Sequence, residues 1–330
     1  MEKTRREFLK DAVALGAGAW VLGACGRSVG ATPSVLPNAS TMRPSIDRAG
    51  LQLFTVRDRM SADFEGTLAK VAGIGYREVE FVGYQNRTPQ DVRAILDRVG
   101  LRAPSTHVTL RPGPDLERQL AGFQAMGHKY ARAGGPAPVR APGGPPPGPP
   151  PAGGFPPPPP PTLDSVRREI AEYHDVARAA KPYGIRVIVH NHTMEFALLP
   201  DGRTPYDVLL AELDPTLVVL ELDIGWATVA GQNAIVLFEA HPGRFPLWHV
   251  KDMTNLAAVN TNGSDEFARM RAARIVPLGQ GEIDYAPIFA RAASAGLEHF
   301  FVEQDTAPDS GDSLAAARAS FEALRRVIQG

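Results

Sequence analysis

Four residues in the C-terminal half of the chain carry side chains that metal ions use as ligands. Each closes or follows a short run of apolar residues rich in Val, Leu and Phe. They are Glu195, Asp223, His249 and Glu303. Three carboxylates and one imidazole form a mixed oxygen and nitrogen set, which suits a hard or borderline divalent ion. The chain has a single cysteine, so we expect no thiolate-ligated metal and no disulfide framework.

The apolar runs that carry these residues predict how the side chains are positioned. Each run is apolar throughout rather than alternating, which is typical of a buried strand in a parallel sheet. In a closed α/β barrel the C-terminal ends of all the strands meet at one face, and active sites are built there. We therefore expect the four side chains to converge at that face.

The rest of the chain repeats one pattern, in which an amphipathic helical stretch and a glycine precede an apolar run. The repeated alternation predicts a (βα)8 TIM barrel, an α/β fold, rather than an open doubly wound sheet. The predicted strands are 49–56, 76–82, 102–109, 129–133, 186–191, 217–223, 247–251 and 299–304. The predicted helices are 64–74, 89–99, 114–127, 163–183, 205–213, 232–241, 285–295 and 313–328.

Length and charge limit the classes of function. The 330 residues are enough for one barrel of about 250 residues with extensions. Lys and Arg number 35 and Asp and Glu number 36. Because the charges nearly balance, we expect no polyanionic partner and no binding of nucleic acid.

The first 25 residues have the pattern of an export signal. The segment TRREFLK at 4–10 resembles a twin-arginine signal, and the apolar stretch 11–24 is shorter than the about 20 apolar residues of a membrane span. The tetrapeptide LGAC resembles a bacterial lipobox, which predicts lipidation of Cys25. Residues 26–46 have the composition of a flexible linker. The sequence predicts a periplasmic lipoprotein that meets the membrane only through this anchor, with the barrel over 47–330.

The segment 134–162 departs from the barrel pattern. It consists mostly of Pro, Gly and Ala and ends in a run of prolines. Such a composition cannot bury a core, and the proline run favours polyproline II. We expect a disordered surface insertion after the fourth strand, with a lid or a partner-docking segment as the alternative.

Five segments resemble those of the sugar phosphate isomerase/epimerase family, whose members have a xylose isomerase-like barrel. The resemblance covers about residues 47–328 and rests on VHNHTMEF (189–196), LDIG (222–225), WHVKD (248–252), PLGQGEIDY (277–285) and VEQD (302–305). It implies a single divalent ion held by Glu195, Asp223, His249 and Glu303. Many members carry the first glutamate where this chain has His190, so His190 or His192 is the alternative to Glu195 as a ligand.

The resemblance also implies a chemistry. A divalent ion, Mn²⁺ first, with Mg²⁺, Co²⁺ or Zn²⁺ as alternatives, could bind a ketose and stabilise the enediolate left when an α proton is removed. Glu195 and Glu303 could remove and return that proton. Lys251 lies two residues after His249, on the same side of the strand, and could donate to a substrate oxygen. We expect a metal-dependent isomerase or epimerase of a non-phosphorylated sugar or keto sugar.

Further candidates for contacts with this carbohydrate are Glu80, His107, His192 and Trp226. Trp226 stands where many relatives have a histidine, so a stacking face replaces a proton carrier. Together with the predicted export, this departure favours an alternative, a lyase or hydrolase of 3-keto-glycosides or inosose-like compounds. An alternative of another class is a lipoprotein that binds a sugar without converting it.

Overall fold

The computed structural model of the protein describes residues 44–134, 160–261 and 266–330. No helix in these ranges is long and apolar enough to cross a membrane. Several predictions fall outside them and stay predictions: the signal 1–25 with lipidation of Cys25, nearly all of the linker 26–46 and nearly all of the insertion 134–162.

Eight parallel strands close into a barrel, which confirms the predicted fold. The strands of the barrel are β1 Gly50–Gln52, β2 Glu78–Phe81, β3 Arg102–Leu110, β4 Tyr130–Ala133, β5 Arg186–His190, β6 Val218–Asp223, β7 Leu247–Val250 and β10 His299–Val302. Their order around the barrel is β1-β10-β7-β6-β5-β4-β3-β2, so barrel strands that follow one another in the sequence also pair in space. Two further strands, β8 Asp252–Thr254 and β9 Arg274–Val276, form an antiparallel pair outside the barrel that the sequence did not predict.

Helices connect the barrel strands and cover their outer faces. Three of them begin at a threonine whose side chain accepts from the backbone of the third helical residue in a capping box, namely those that follow Thr88, Thr162 and Thr204. The helices are Arg57–Ala62, Phe64–Ile74, Pro89–Val99, Leu116–Met126, Leu163–Ala180, Pro205–Glu212, Ile224–Val229, Ala234–Ala240, Leu256–Thr261, Glu266–Ala272, Tyr285–Phe289, Ala292–Ala295 and Ser313–Gln329. Short 3₁₀ turns occupy Ile46–Arg48, Leu53–Val56, Lys181–Tyr183, Met194–Phe196 and Ala307–Ser310, so β1 ends earlier than the predicted strand 49–56.

The interior of the barrel changes from apolar to charged along the strands. One layer of inward side chains is apolar and consists of Tyr130, Ile188, Val219, Leu247 and Phe301. Because side chains alternate between the two faces of a strand, the next inward position lies two residues further on. Those positions carry Arg132, His190, Glu221, His249 and Glu303. The apolar layer therefore forms the floor under a layer of ionisable groups.

The outward side chains of the same strands pack under the helices. Trp248 is fully buried, and its ring stacks on Phe238 with the ring centroids 4.7 Å apart. Phe289 approaches the other side of the indole, with the centroids at 5.6 Å. The indole Nε1 donates to the Phe245 carbonyl at 3.0 Å, so the polar atom of this ring is satisfied. This packing holds the outer face of β7 against the helices.

A tight loop around Asp252 joins the β8–β9 pair to the barrel. Its carboxylate accepts hydrogen bonds from the backbone N–H groups of Gly279, Gly281 and Ile283 at 2.8, 3.0 and 3.2 Å. A Cβ atom at Gly281 would lie 2.0 Å from Asp252 Oδ1. The loop can close on this carboxylate only because glycine stands there.

We expect Trp248→Ala to lower the free energy of unfolding by about 3–5 kcal/mol, because it removes a large buried ring and leaves a cavity. Urea denaturation monitored by circular dichroism would measure the change. Leu198→Ala is the control, since that side chain is 76% exposed, and it should leave the unfolding midpoint almost unchanged. Equal midpoints for the two variants would contradict the packing role assigned to Trp248.

Candidate metal centre and active site

His249 lies at the centre of a buried cluster of carboxylates. Its Nδ1 is 2.8 Å from Glu303 Oε2 and its Nε2 is 2.7 Å from Glu80 Oε2. These neighbours favour the doubly protonated ring, in which both nitrogens donate and the imidazole carries a positive charge. Burial opposes that charge, but Glu221, Glu303 and Glu80 together raise the pKa of His249 well above its ordinary value.

Lys251 also lies inside the cluster, with its side chain 1% exposed. Its Nζ is 2.9 Å from Asp223 Oδ2, 2.8 Å from Glu303 Oε2 and 2.8 Å from Asp305 Oδ2. Although burial opposes its charge, these carboxylates raise the pKa of Lys251 well above its ordinary value. The side chain thus faces the interior of the barrel, on the same side as His249, and does not reach solvent.

Backbone contacts fix the position of Asp223 at the end of β6. Asn191 accepts from the Asp223 N–H at 2.9 Å and donates to its carbonyl at 3.2 Å. The Asp223 side chain accepts from Trp226 N at 2.8 Å and so caps the helix Ile224–Val229. Its other oxygen remains directed at Lys251 Nζ.

The turn after Asp223 packs directly against the residue that follows β7. A Cβ atom at Gly225 would lie 2.6 Å from the Lys251 carbonyl oxygen, so only glycine permits this approach. The Tyr285 hydroxyl accepts from the Lys251 N–H at 2.9 Å and donates to its carbonyl at 2.8 Å. Lys251 is therefore held at its backbone on both sides, while its amine stays in the cluster.

Two overlapping groups of side chains in the described ranges could hold a metal ion. One consists of Asp223, His249 and Glu303, and the other of His107, His190, Glu221 and His249. The ligand atoms within each group lie within 4.8 Å of one another. The first group brings together three of the four predicted ligands. His249 belongs to both groups.

Glu195, the fourth predicted ligand, belongs to neither group. Its Oε2 accepts from the backbone N–H of His192 at 2.7 Å, so the carboxylate folds back on its own 3₁₀ turn. Burial raises its pKa, and Arg132 is the nearby cation that opposes this rise. On β5 the residue that faces the other three is His190, whose Nε2 is 4.0 Å from Asp223 Oδ2.

Glu221 is a site residue that the sequence analysis did not single out. Its Oε2 contacts His107 Nε2 at 2.6 Å and lies 3.5 Å from His190 Nδ1, and it is fully buried. It stands two residues before Asp223 on β6 and so points to the same face. This spacing is the signal that could have identified it.

The remaining predicted site residues lie around the same cluster. Glu80 is fully buried and accepts from Gln52 at 2.7 Å and from Ser105 at 2.5 Å, which supplies the partners that a charge in an apolar strand needs. His192 and Trp226 face each other with the ring centroids 6.2 Å apart. The Trp226 ring lies 5.2 Å from Lys251 Nζ.

The side chains present fit a divalent ion. Five carboxylates meet in the cluster, where the cationic partners are Lys251 and the imidazoles of His249 and His107, whose pKa values the neighbouring glutamates raise against burial. Glu221 Oε1 and His190 Nδ1 are buried and form no hydrogen bond of regular geometry, and the same holds for Asp223 Oδ2 in spite of its 2.9 Å distance to Lys251. Buried acceptors without donors and a surplus of negative charge are what a bound cation compensates.

Comparison with known proteins identifies a family. The sequence profile of the xylose isomerase-like TIM barrel family matches residues 68–327. Among curated proteins, the chain is 29% identical over 131 residues to an inosose dehydratase of Geobacillus thermodenitrificans and 25% identical over 169 residues to one of Lactiplantibacillus plantarum. These alignments cover 38% and 50% of this chain and 42% and 54% of the relatives, so the chain spans about half the length of the curated relatives it matches.

Solved structures share the fold at low sequence identity. A sugar phosphate isomerase/epimerase of Parabacteroides distasonis superposes with a TM-score of 0.62 at 20% identity, over 88% of this chain and 98% of that protein. The IOLI protein, solved with a bound zinc atom, gives 0.60 at 12% identity over 86% and 98%. An L-ribulose 3-epimerase gives 0.56 at 14% identity over 86% and 94%. At these identities the likeness shows the fold alone.

We expect His190→Ala to weaken the binding of Mn²⁺ by at least about tenfold and Glu195→Gln to change it by much less, because His190 faces the other ligands and Glu195 faces its own loop. Titration of the metal-free protein with Mn²⁺, followed by electron paramagnetic resonance of the free ion, measures both affinities. If Glu195→Gln were the more damaging variant, Glu195 would enter the site when metal binds, as the sequence predicts.

We also expect the affinity for metal to rise as the pH increases through about 6. Burial and the charge of Glu303 raise the pKa of Asp223 to about 6 against the effect of Lys251. A carboxyl must lose its proton before it binds an ion, so protons compete with the metal at Asp223 below that pH. The imidazole of His249 must also release a proton to bind an ion, so the affinity should keep rising above that pH. Calorimetric titrations from about pH 5 to about pH 8, in buffers of different ionisation enthalpy, would report both affinity and proton release. A constant affinity across this range would contradict the expectation.

Proposed function

Because this chain belongs to the xylose isomerase-like TIM barrel family, we propose that it is a divalent-metal-dependent isomerase or epimerase of a non-phosphorylated sugar or keto sugar. The observation that carries the proposal is the meeting of Asp223, His249 and Glu303 with Lys251 in one buried cluster. The cluster forms at the C-terminal ends of the strands, where TIM barrels build their active sites.

The proposed reaction moves a proton next to a carbonyl group. An ion held by Asp223, His249 and Glu303, Mn²⁺ being our first choice, would supply a Lewis acid for the substrate carbonyl. Glu303 is the proposed base. Burial raises its pKa, but Lys251 and His249 together hold it well below its ordinary value, so the group is ionised and can accept a proton.

The returning proton needs a second group across the substrate from Glu303. Two candidates lie on β5 and its loop. Glu195 is the one that the sequence predicts, and the burial that raises its pKa favours a carboxyl that holds a proton. His190 is closer to the cluster, but burial with the charge of His249 lowers its pKa well below the ordinary value. The imidazole is therefore neutral and can return a proton only after it has first taken one from the substrate.

The remaining residues would bind and orient the sugar. Lys251 Nζ lies within 2.9 Å of an oxygen of each of three carboxylates and can direct one of its N–H groups to a substrate oxygen. Trp226 offers an apolar face beside that amine, and sugar rings stack on such faces through their C–H groups. His192 lies beside the indole, with the ring centroids 6.2 Å apart, and can donate to a hydroxyl.

We propose that the protein acts outside the cytoplasmic membrane as a lipid-anchored periplasmic enzyme. The twin-arginine-like segment at 4–10 and the lipobox-like position of Cys25 support this location. The same location favours a substrate without a phosphate group, since a periplasmic enzyme would meet few sugar phosphates.

A lyase acting on 3-keto-glycosides or inosose-like compounds is the second candidate. It is favoured by the two inosose dehydratases among the relatives and by Trp226 in place of a proton-carrying histidine. The first step would be the same removal of an α proton by Glu303. The electron pair would then expel a hydroxyl or alkoxyl group from the β carbon, and that group would leave with a proton as water or as an alcohol.

We expect the metal-loaded protein to exchange a carbon-bound hydrogen of at least one ketose or keto sugar with solvent deuterium, and chelation to abolish the exchange. Glu303→Gln should slow it by at least about 100-fold, because the base is lost. Glu239→Gln, at the protein surface, is the matched control and should have no effect. Nuclear magnetic resonance of a substrate panel in D₂O measures the exchange.

Mass spectrometry of the same mixtures separates the two candidates. A product of unchanged mass, apart from deuterium, identifies an isomerase or epimerase, whereas loss of water or of an aglycone identifies a lyase. Saturable binding of a sugar by the metal-loaded protein without exchange of any substrate would refute both and leave the sugar-binding lipoprotein.

A further inference from the structure

A cavity lies at the N-terminal end of the barrel, opposite the metal cluster. Its volume is about 420 Å³, within the range of small-molecule sites. The lining comes from the first residues of β2, β3 and β10 and from the segments that lead into β1 and β4. The residues that matter here are Arg48, Glu78, Arg93, Arg102, Lys129 and His299.

The cavity is basic. Four of these side chains are cations, and their ion pairs within the described part of the chain involve two carboxylates, Glu78 and Asp97. Asp97 Oδ1 is 2.5 Å from Arg93 Nη2. Lys129 is exposed and forms no ion pair with a described residue. The cavity thus has more positive than negative charge.

The one carboxylate within the cavity is satisfied from the protein side. Glu78 is 2% exposed, and its Oε2 is 2.7 Å from His299 Nδ1. Its Oε1 is 3.3 Å from Arg102 Nη2, which holds that guanidinium at the mouth of the cavity. The Arg102 side chain lines the cavity and is nevertheless 63% exposed, so it is open to a ligand from solvent. Glu78 therefore positions a cation for a ligand instead of cancelling the charge of the cavity.

This cavity is separate from the metal cluster. The apolar layer that contains Leu247 and Phe301 fills the barrel between them. The N-terminal end of a TIM barrel does not carry the catalytic loops. The stability of the barrel would not require a surplus of cations there. Clefts lined by one sign of charge concentrate ligands of the opposite sign.

We propose that this cavity binds a phosphate group, with Arg102 and Lys129 as its main ligands. A guanidinium presents paired donors that match two phosphate oxygens, and an ammonium adds a point charge for the third. The chain enters the barrel at the same end, since the turn Ile46–Arg48 leads directly into β1 and carries Arg48 to the cavity. A phosphate at this end could belong to a soluble molecule or to a phospholipid headgroup near the predicted anchor.

The test uses the full chain with chelator present, so that phosphate cannot bind a metal ion in the cluster. Isothermal titration calorimetry with inorganic phosphate, at about 0.15 M ionic strength to screen weak surface binding, should show one saturable site. The double variant Arg102→Ala/Lys129→Ala should weaken binding by at least about tenfold, because it removes both exposed cations. Arg118→Ala/Arg203→Ala removes the same charge outside the cavity and should leave binding unchanged.

A competition arm identifies the source of the phosphate. Displacement of inorganic phosphate by monomeric dihexanoyl phosphatidylglycerol would identify a lipid headgroup, and displacement by a soluble phosphate monoester alone would identify a small molecule. Either result supports the site. The absence of saturable binding, or equal affinities for the wild-type protein and Arg102→Ala/Lys129→Ala, would overturn it. None of these measurements depends on the proposed enzymatic activity.

Discussion

The site depends on an imidazole that donates to carboxylates at both of its nitrogens. His249 bonds Glu303 on one side and Glu80 on the other, at 2.8 and 2.7 Å. Such an arrangement is stable in a low-dielectric interior only if the geometry is good and the remaining acceptors have donors. Gln52 and Ser105 donate hydrogen bonds to Glu80, and the Lys251 ammonium contacts Glu303. The ends of β1, β2, β3, β7 and β10 are tied together by these bonds.

The barrel provides the geometry because an ionisable residue follows an inward apolar residue by two positions on neighbouring strands. Leu247 and His249 are spaced in this way on β7, as are Phe301 and Glu303 at the end of β10. The apolar layer excludes water from below, which strengthens every charge interaction above it. A shift of the strand register by one residue would turn the ionisable side chains outward, towards the helices. Trp248 packs outside the barrel and Leu247 packs inside it, so this packing fixes the site as well as the fold.

The sequence predicted those features that follow from strand periodicity, and the closed barrel confirms the fold. Asp223, His249 and Glu303 could be identified as neighbours because each ends a buried strand. Glu221 escaped notice because it lies within an apolar run, where only its spacing from Asp223 reveals the inward face. The position of Glu195 depended on the conformation of the loop after β5, which a 3₁₀ turn sets, and periodicity does not specify loops. The short β8–β9 pair was missed because strands of three residues carry too little pattern.

Lys251 has a consequence for the order in which the protein matures. Its ammonium contacts Asp223, Glu303 and Asp305, and its backbone is held by Tyr285. The ammonium offsets part of the repulsion among the carboxylates that would bind an ion, so the barrel can reach its folded state before any metal arrives. Metal entry then becomes an exchange of one cation for another, in which the Lys251 ammonium moves away from the carboxylates, and folding and metal loading can take place at different times.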